Sequence, residues 1–319
     1  MPDIIVMFFL LGVIAGALRS DLTIPKAVYD ILGLLLMLTI GLKGGMALHG
    51  NLHWGLITQV LAIMALGFAI PLVLFPMLRY LVRLNVADAA SFCAHYGSVS
   101  AGTFAVALAW VESRGLATDG QVTLYLVLLE LPAILTGLWL YRRYTQDAVQ
   151  TSRTGTPLWQ ETLTNRSVVL LVGGVVIGIL YGPDKGDGVT APLTGAFSLV
   201  LSLFLLEMGL VAAETLRKVQ LRHWRLIAFA LCMPPVLAVP GLLVGLWLGL
   251  ETGTIIILGA LTSSASYIAA PVAIRHAIPE ADIGLAMLAS LGVTFPFNVL
   301  IGIGLYSHFL EFLTAQRSI

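Results

Sequence analysis

His95-Tyr96-Gly97-Ser98-Val99-Ser100-Ala101-Gly102-Thr103 and Gly259-Ala260-Leu261-Thr262-Ser263-Ser264-Ala265-Ser266-Tyr267 collect small and hydroxyl side chains inside two long apolar stretches. A bilayer crossing takes about 20 residues. Hydrocarbon offers no partner to a backbone N–H or C=O, so each crossing is expected to be helical. Glycines and hydroxyls in the middle of such a helix loosen it, and where they fall decides the fold. Around these stretches, apolar runs cut at charges and Pro/Gly-rich junctions give ten candidate spans: 3–19, 27–48, 54–78, 87–111, 121–141, 166–181, 190–213, 224–250, 252–274 and 282–310. The expected fold is an all-α polytopic membrane protein of ten transmembrane helices, with helices 4 and 9 interrupted.

Composition agrees. Of 319 residues, 58% are hydrophobic and 11% charged; adding the 32 glycines and leaving out the 9 tyrosines makes about 65% apolar. Soluble domains run at about 45–50% apolar and about 25% charged, so this chain has too few charges to clothe a soluble protein. Seventeen basic and seventeen acidic residues cancel, and no basic surface calls for nucleic acid. Cys93 and Cys232 both lie in apolar stretches and read as buried thiols. The six histidines show no zinc spacing, and no phosphate-binding loop is present. Met1–Arg19 lacks the basic leader of a secretory signal and reads as the first span.

Ten spans put both termini on one side. With the termini outside, Arg19, Lys26, Arg79, Arg83, Arg142, Arg143, Arg153, Arg166, Arg217, Lys218, Arg222, Arg225 and Arg275 fall inside, and Arg114, Lys185 and Arg317 outside. Basic residues of short loops stay cytoplasmic, so this split favours that orientation. The chain also repeats itself. Ile40-Gly41-Leu42 before Leu52-His53-Trp54 is echoed by Met208-Gly209-Leu210 before Arg222-His223-Trp224. Ser98-Val99-Ser100 is echoed by Ser264-Ala265-Ser266, Leu131-Pro132 by Phe295-Pro296 and Leu140-Tyr141 by Leu305-Tyr306. Five spans per half turn the second half upside down, the inverted-repeat design of secondary transporters. The expected organisation is a first repeat over 1–145, a cytoplasmic linker over 146–165 and a second repeat over 166–319.

If both interrupted helices break at their hydroxyl clusters, free N–H groups and positive dipole ends meet at mid-membrane, where they can hold a small anion without a fixed cation. Small residues also serve close helix packing; clusters at repeat-equivalent positions favour a site drawn from Ser98, Ser100, Thr103, Thr262, Ser263, Ser264 and Ser266. Lys43, Glu130 and Glu207 are ionisable groups in apolar surroundings, too costly to leave unpaired. Glu130, beside Leu131-Pro132, is the first candidate for a coupling cation, with Thr262, Ser263 and Asn298 adding neutral oxygens from the second half. Glu207 is equally readable as the partner of Lys43 in a structural bridge. No nucleophile and base stand at convincing helical spacing, so an enzyme is not expected.

The stretches Ile40-Gly41-Leu42-Lys43-Gly44-Gly45-Met46-Ala47, Tyr96 to Leu108, Leu216-Arg217-Lys218-Val219, Thr262-Ser263-Ser264-Ala265-Ser266 and Pro271 to Pro279 resemble the sodium-dependent bicarbonate transporters of the SbtA family, in order along nearly the whole chain. The resemblance implies a symporter importing bicarbonate with sodium across the bacterial inner membrane, with no cofactor besides the coupling ion. It implies a gate domain of spans one, two, six and seven, a core domain carrying the substrate, and a homotrimer. It maps the substrate pocket onto Ser98, Ser100, Thr103, Ser264 and Ser266. In cyanobacterial members a PII-like protein, SbtB, binds the cytoplasmic face. Those members carry an aspartate where this chain has Tyr267 and another where it has Glu130. The alternatives are a symporter of another small organic anion and a cation/proton antiporter of related fold.

Overall fold

A computed structural model describes residues 4–50, 55–145, 166–217 and 224–315. The linker 146–165, with Arg153 and Trp159, lies outside them, as do His53, Trp54, Lys218, Arg222, His223 and Arg317. Every regular element among the described residues is helical: α1 (Ile4–Ala17), α2 (Lys26–Leu48), α3 (Gly55–Val82), α4 (Val86–Gly97), α5 (Ala101–Ser113), α6 (Gly120–Tyr144), α7 (Arg166–Lys185), α8 (Asp187–Arg217), α9 (Trp224–Leu248), α10 (Thr252–Thr262), α11 (Ala269–Ala277) and α12 (Ile283–Ala315). Seven segments are long and apolar enough to cross a membrane: α2, α3, α4 with α5, α6, α8, α9 and α12. The remaining expected spans fall on α1 and α10, apolar but shorter, and on α7.

Two groups of helices are packed by different means. In the first, α1 crosses α8 and α2 crosses α7, with α8 also against α2. Glycines make these crossings close. A methyl built on Gly178 would stand 2.6 Å from the Leu42 carbonyl oxygen, and one on Gly174 2.8 Å from that of Leu38. Both obstacles are backbone and cannot turn aside. Membrane helices gain nothing by leaving lipid for equally apolar neighbours, so such backbone-to-backbone fit is what holds them.

In the second group α3, α4 and α6 pack on one another, as do α9 and α10, with α12 against both. Asn85 caps α4 by accepting from the Asp88 N–H at 2.7 Å, and Asp282 caps α12 by accepting from the Leu285 N–H at 2.9 Å. The Asp282 N–H in turn donates to Asp88 Oδ1 at 2.7 Å, tying the two helix starts together. Each cap satisfies N–H groups that a helix start leaves free.

Two expectations are corrected. Lys43 pairs with neither Glu207 nor Glu130: its ammonium lies 2.6 Å from Glu112 Oε1 and 4.7 Å from the centre of the Phe197 ring. The bridge joins the ends of α2 and α5, and the way these two helices lie against each other selects Glu112. Cys93 is buried, its thiol directed at the Pro71 carbonyl at 3.4 Å, but Cys232 is exposed on the outer side of α9. An apolar residue facing lipid needs no burial in protein. The Lys43 and Glu112 side chains are 26% and 44% exposed, a setting in which ion pairs contribute about 0–1 kcal/mol. Glu112→Gln should therefore leave thermal stability and folded yield close to those of the parent, and a large loss of either would show that Lys43 cannot stand unpaired there.

Candidate anion and cation site

Both hydroxyl-rich stretches interrupt their helices. Residues 98–100 separate α4 from α5, and residues 263–268 separate α10 from α11. The breaks meet: the Ser100 N–H donates to Ser264 Oγ at 2.9 Å, and the Ser266 N–H donates to the His95 carbonyl at 2.7 Å. Ser100 Oγ accepts from the Thr103 N–H at 3.0 Å, and Ser266 Oγ accepts from the Ala270 N–H at 3.2 Å. Ser100 thus caps α5, the role for which a short hydroxyl side chain is suited, while Ser266, two residues ahead of the Ile268 N-cap, satisfies an N–H of the first turn of α11.

Between the breaks lies a cavity of about 30 Å³. Ser100, Ala101 and Val99 line it from the first break, Ser266, Tyr267, Ile268 and Ala269 from the second, and Glu130 from α6; Met37 of α2 and Leu171 of α7 close the far wall. The first residues of α5 and α11 are therefore cavity wall, with the positive ends of both half-helices beside it. Glu130 Oε1 is shut off from solvent and has no hydrogen-bond partner among the described residues. Glu130 itself lines the cavity, so its carboxylate stands where water or an ion can reach it.

A second space, a vestibule of about 880 Å³, reaches the same breaks from one end of the molecule. Lys26, Arg166 and Arg275 are exposed along it, Asp30 holds Arg166 at 2.8 Å, and Ala101, Gly102, Tyr267 and Ile268 form its floor. Tyr29 stacks on Phe204 in its wall, the ring centres 5.4 Å apart, and Glu207 lies nearby. At the opposite end α2 is closed onto the start of α6, where Gly44 abuts Thr123, and by the Lys43–Glu112 pair.

The residues singled out by sequence fall into three places. Ser100, Ser266 and Glu130 share the small cavity. Ser264 braces the crossing, donating to the Leu261 carbonyl at 2.7 Å while accepting from Ser100. Ser98 and Thr103 are buried, their hydroxyls without a partner among the described residues, and are not among the cavity walls. Thr262, Ser263 and Asn298, grouped with Glu130 by the repeat, do not line its cavity. Thr262 Oγ1 turns back to the carbonyls of Leu258 and Gly259, while Asn298 donates to the Ser263 carbonyl at 3.1 Å and accepts from the Tyr306 hydroxyl at 2.5 Å. That cluster satisfies itself. Tyr96 bonds Thr294 at 2.8 Å, and Thr294 donates to the Ala230 carbonyl at 2.8 Å, so these two tie α4, α12 and α9.

Sequence reasoning missed the part played by Tyr267, Met37 and Leu171. For Tyr267 a signal existed, since it stands where the resembled family carries an aspartate; for the other two, ordinary apolar residues of α2 and α7, there was none. The family model for the Na+-dependent bicarbonate transporter superfamily matches residues 4–311. No curated protein matches the chain.

Proposed function

The chain belongs to the Na+-dependent bicarbonate transporter superfamily, and from that premise we propose that it is a symporter that binds bicarbonate and sodium together at the cavity between the two helix breaks. Membership makes it a transporter rather than an enzyme. The observation that carries the reading is that α5 and α11 both begin at one cavity whose wall also holds the Glu130 carboxylate. Helix starts and the Ser100 and Ser266 hydroxyls favour an anion. A carboxylate in the same small space opposes one, and a cation beside it removes the opposition. Each ion then raises the affinity for the other, which is the thermodynamic content of coupling.

In this reading α1, α2, α7 and α8 form the gate domain, and the remaining helices form the core that carries the site; the glycine-tight crossings of the first group and the interlocked breaks of the second support that division. The ten spans form two inverted repeats, both termini face outward, and the vestibule opens to the cytoplasm of a bacterial cell, supported by the basic residues along its length. Exposed Ile4, Met7, Leu11 and Ile14 on α1 suit lipid or the neighbour in a homotrimer. A PII-like regulator would dock on the cytoplasmic face. The deciding experiment is uptake of labelled bicarbonate into proteoliposomes with and without a sodium gradient, with acetate and sulfate as controls. Sodium-driven uptake of bicarbonate alone is the expected result; equal uptake without sodium would overturn the coupling. Ser264→Ala, which removes the brace on Ser100, should weaken anion binding by about 1–3 kcal/mol.

A further inference from the structure

We propose that Tyr267 is the inner gate of the anion site, its ring forming the partition between the water-sized cavity and the vestibule. Four residues line both spaces, Met37, Ala101, Tyr267 and Ile268, and among them only Tyr267 carries a large rigid side chain on the interrupted segment rather than within a helix. Its ring rests edge-on against Phe295, the centres 5.5 Å apart and the planes at 73°. Its hydroxyl stands over Gly102, in the space a side chain at that position would take, on the first turn of α5. Glycine there is what lets the phenol reach the helix start.

Size makes the partition consequential. A water needs about 10–15 Å³ of such space, so about 30 Å³ holds two or three waters and is a tight fit for a four-heavy-atom anion. The vestibule has ample room, and Tyr267 lines it as well. An anion coming from the vestibule reaches Ser100, Ser266 and the start of α11 only when the ring turns away. Tyr267 is 6% exposed, and its hydroxyl lies against the Ser100 side chain and the Gly102 backbone at the start of α5. Its present place is held by ring packing on Phe295 and by these polar contacts, which an anion oxygen taking over the α5 start would replace. Substrate of the right size displaces the phenol, and the ring closes again behind it. The identity of the anion rests on the function proposed above, whereas the partition itself does not.

The test reads accessibility first and transport second. Val127 lines the small cavity and not the vestibule. In a chain with Cys93→Ala and Cys232→Ala, Val127→Cys should react slowly with a small thiosulfonate reagent applied from the vestibule side. Adding Tyr267→Ala should speed that reaction by about tenfold or more, as expected when a lid is removed. Tyr267→Phe, which keeps the ring, should leave the rate within about twofold. In proteoliposomes Tyr267→Ala should also let acetate through, while Tyr267→Phe continues to exclude it. Equal labelling with and without the ring would overturn the gate. If Tyr267→Ala gives no folded protein, Tyr267→Val removes the ring and reads the same way. Ring-dependent labelling in a protein that moves no bicarbonate would leave the gate standing and remove the substrate assignment alone.

Discussion

Glu130→Gln should raise the sodium concentration for half-maximal uptake by about tenfold or more, equivalent to about 1.4 kcal/mol, with assembly intact. Glutamine keeps the size and the hydrogen-bonding reach of the side chain and deletes only its charge. The carboxylate borders the cavity that also receives the starts of α5 and α11, and its Oε1 has no partner within the described chain. An ionised group in such a place needs a counter-charge. The one lysine set within an expected span, Lys43, is engaged with Glu112, so no fixed ammonium competes with sodium for Glu130. Sodium titrations of bicarbonate uptake in reconstituted protein read the effect directly. A Glu130→Gln protein with the parent's sodium dependence would remove this carboxylate from the coupling site, and a collapse of folded yield would make it a structural charge.

Gly178→Leu should destabilise the protein by about 3 kcal/mol and lower the yield of folded material. The α2–α7 crossing brings the Gly178 backbone so close to Leu42 and Met46 that even a methyl would lie 2.6 Å from the Leu42 oxygen and the Met46 nitrogen. Relief requires moving a whole helix. Gly173 on the same helix has nothing within 4 Å of the corresponding position, so Gly173→Leu controls for helix propensity and apolarity and should be nearly neutral. Thermal unfolding of detergent-purified proteins separates the two. Equal stability of both variants would mean that the crossing is looser than the backbone spacing indicates.

The interrupted helices were legible because their cause is local. Glycines and serines in the middle of an apolar run announce both the break and hydroxyls that can accept from the N–H groups of the next half-helix, as Ser100 and Ser266 do. Glu130 was legible as a carboxylate that hydrocarbon cannot leave alone. Its companions were not. Thr262, Ser263 and Asn298 match the repeat in order, but order along the chain says nothing about which side of a helix a hydroxyl uses. Thr262 and Ser263 spend their protons on carbonyls of their own helix, a habit of hydroxyls in apolar surroundings. The Lys43–Glu112 pair was hidden for a related reason, since it depends on how α2 lies across α5. Tyr267 was visible only as a departure from a family pattern, and its effect depends on two cavities that no spacing reveals.

The interlocked breaks also bear on how the chain is made. During synthesis residues 1–145 enter the membrane while the second break does not yet exist. Until then the Ser100 N–H lacks Ser264 and the His95 carbonyl lacks the Ser266 N–H. Each is a polar group whose burial without a partner costs about 1–3 kcal/mol. Residues 1–145 therefore reach their final form only once residues 263–268 arrive from the ribosome to close the first break.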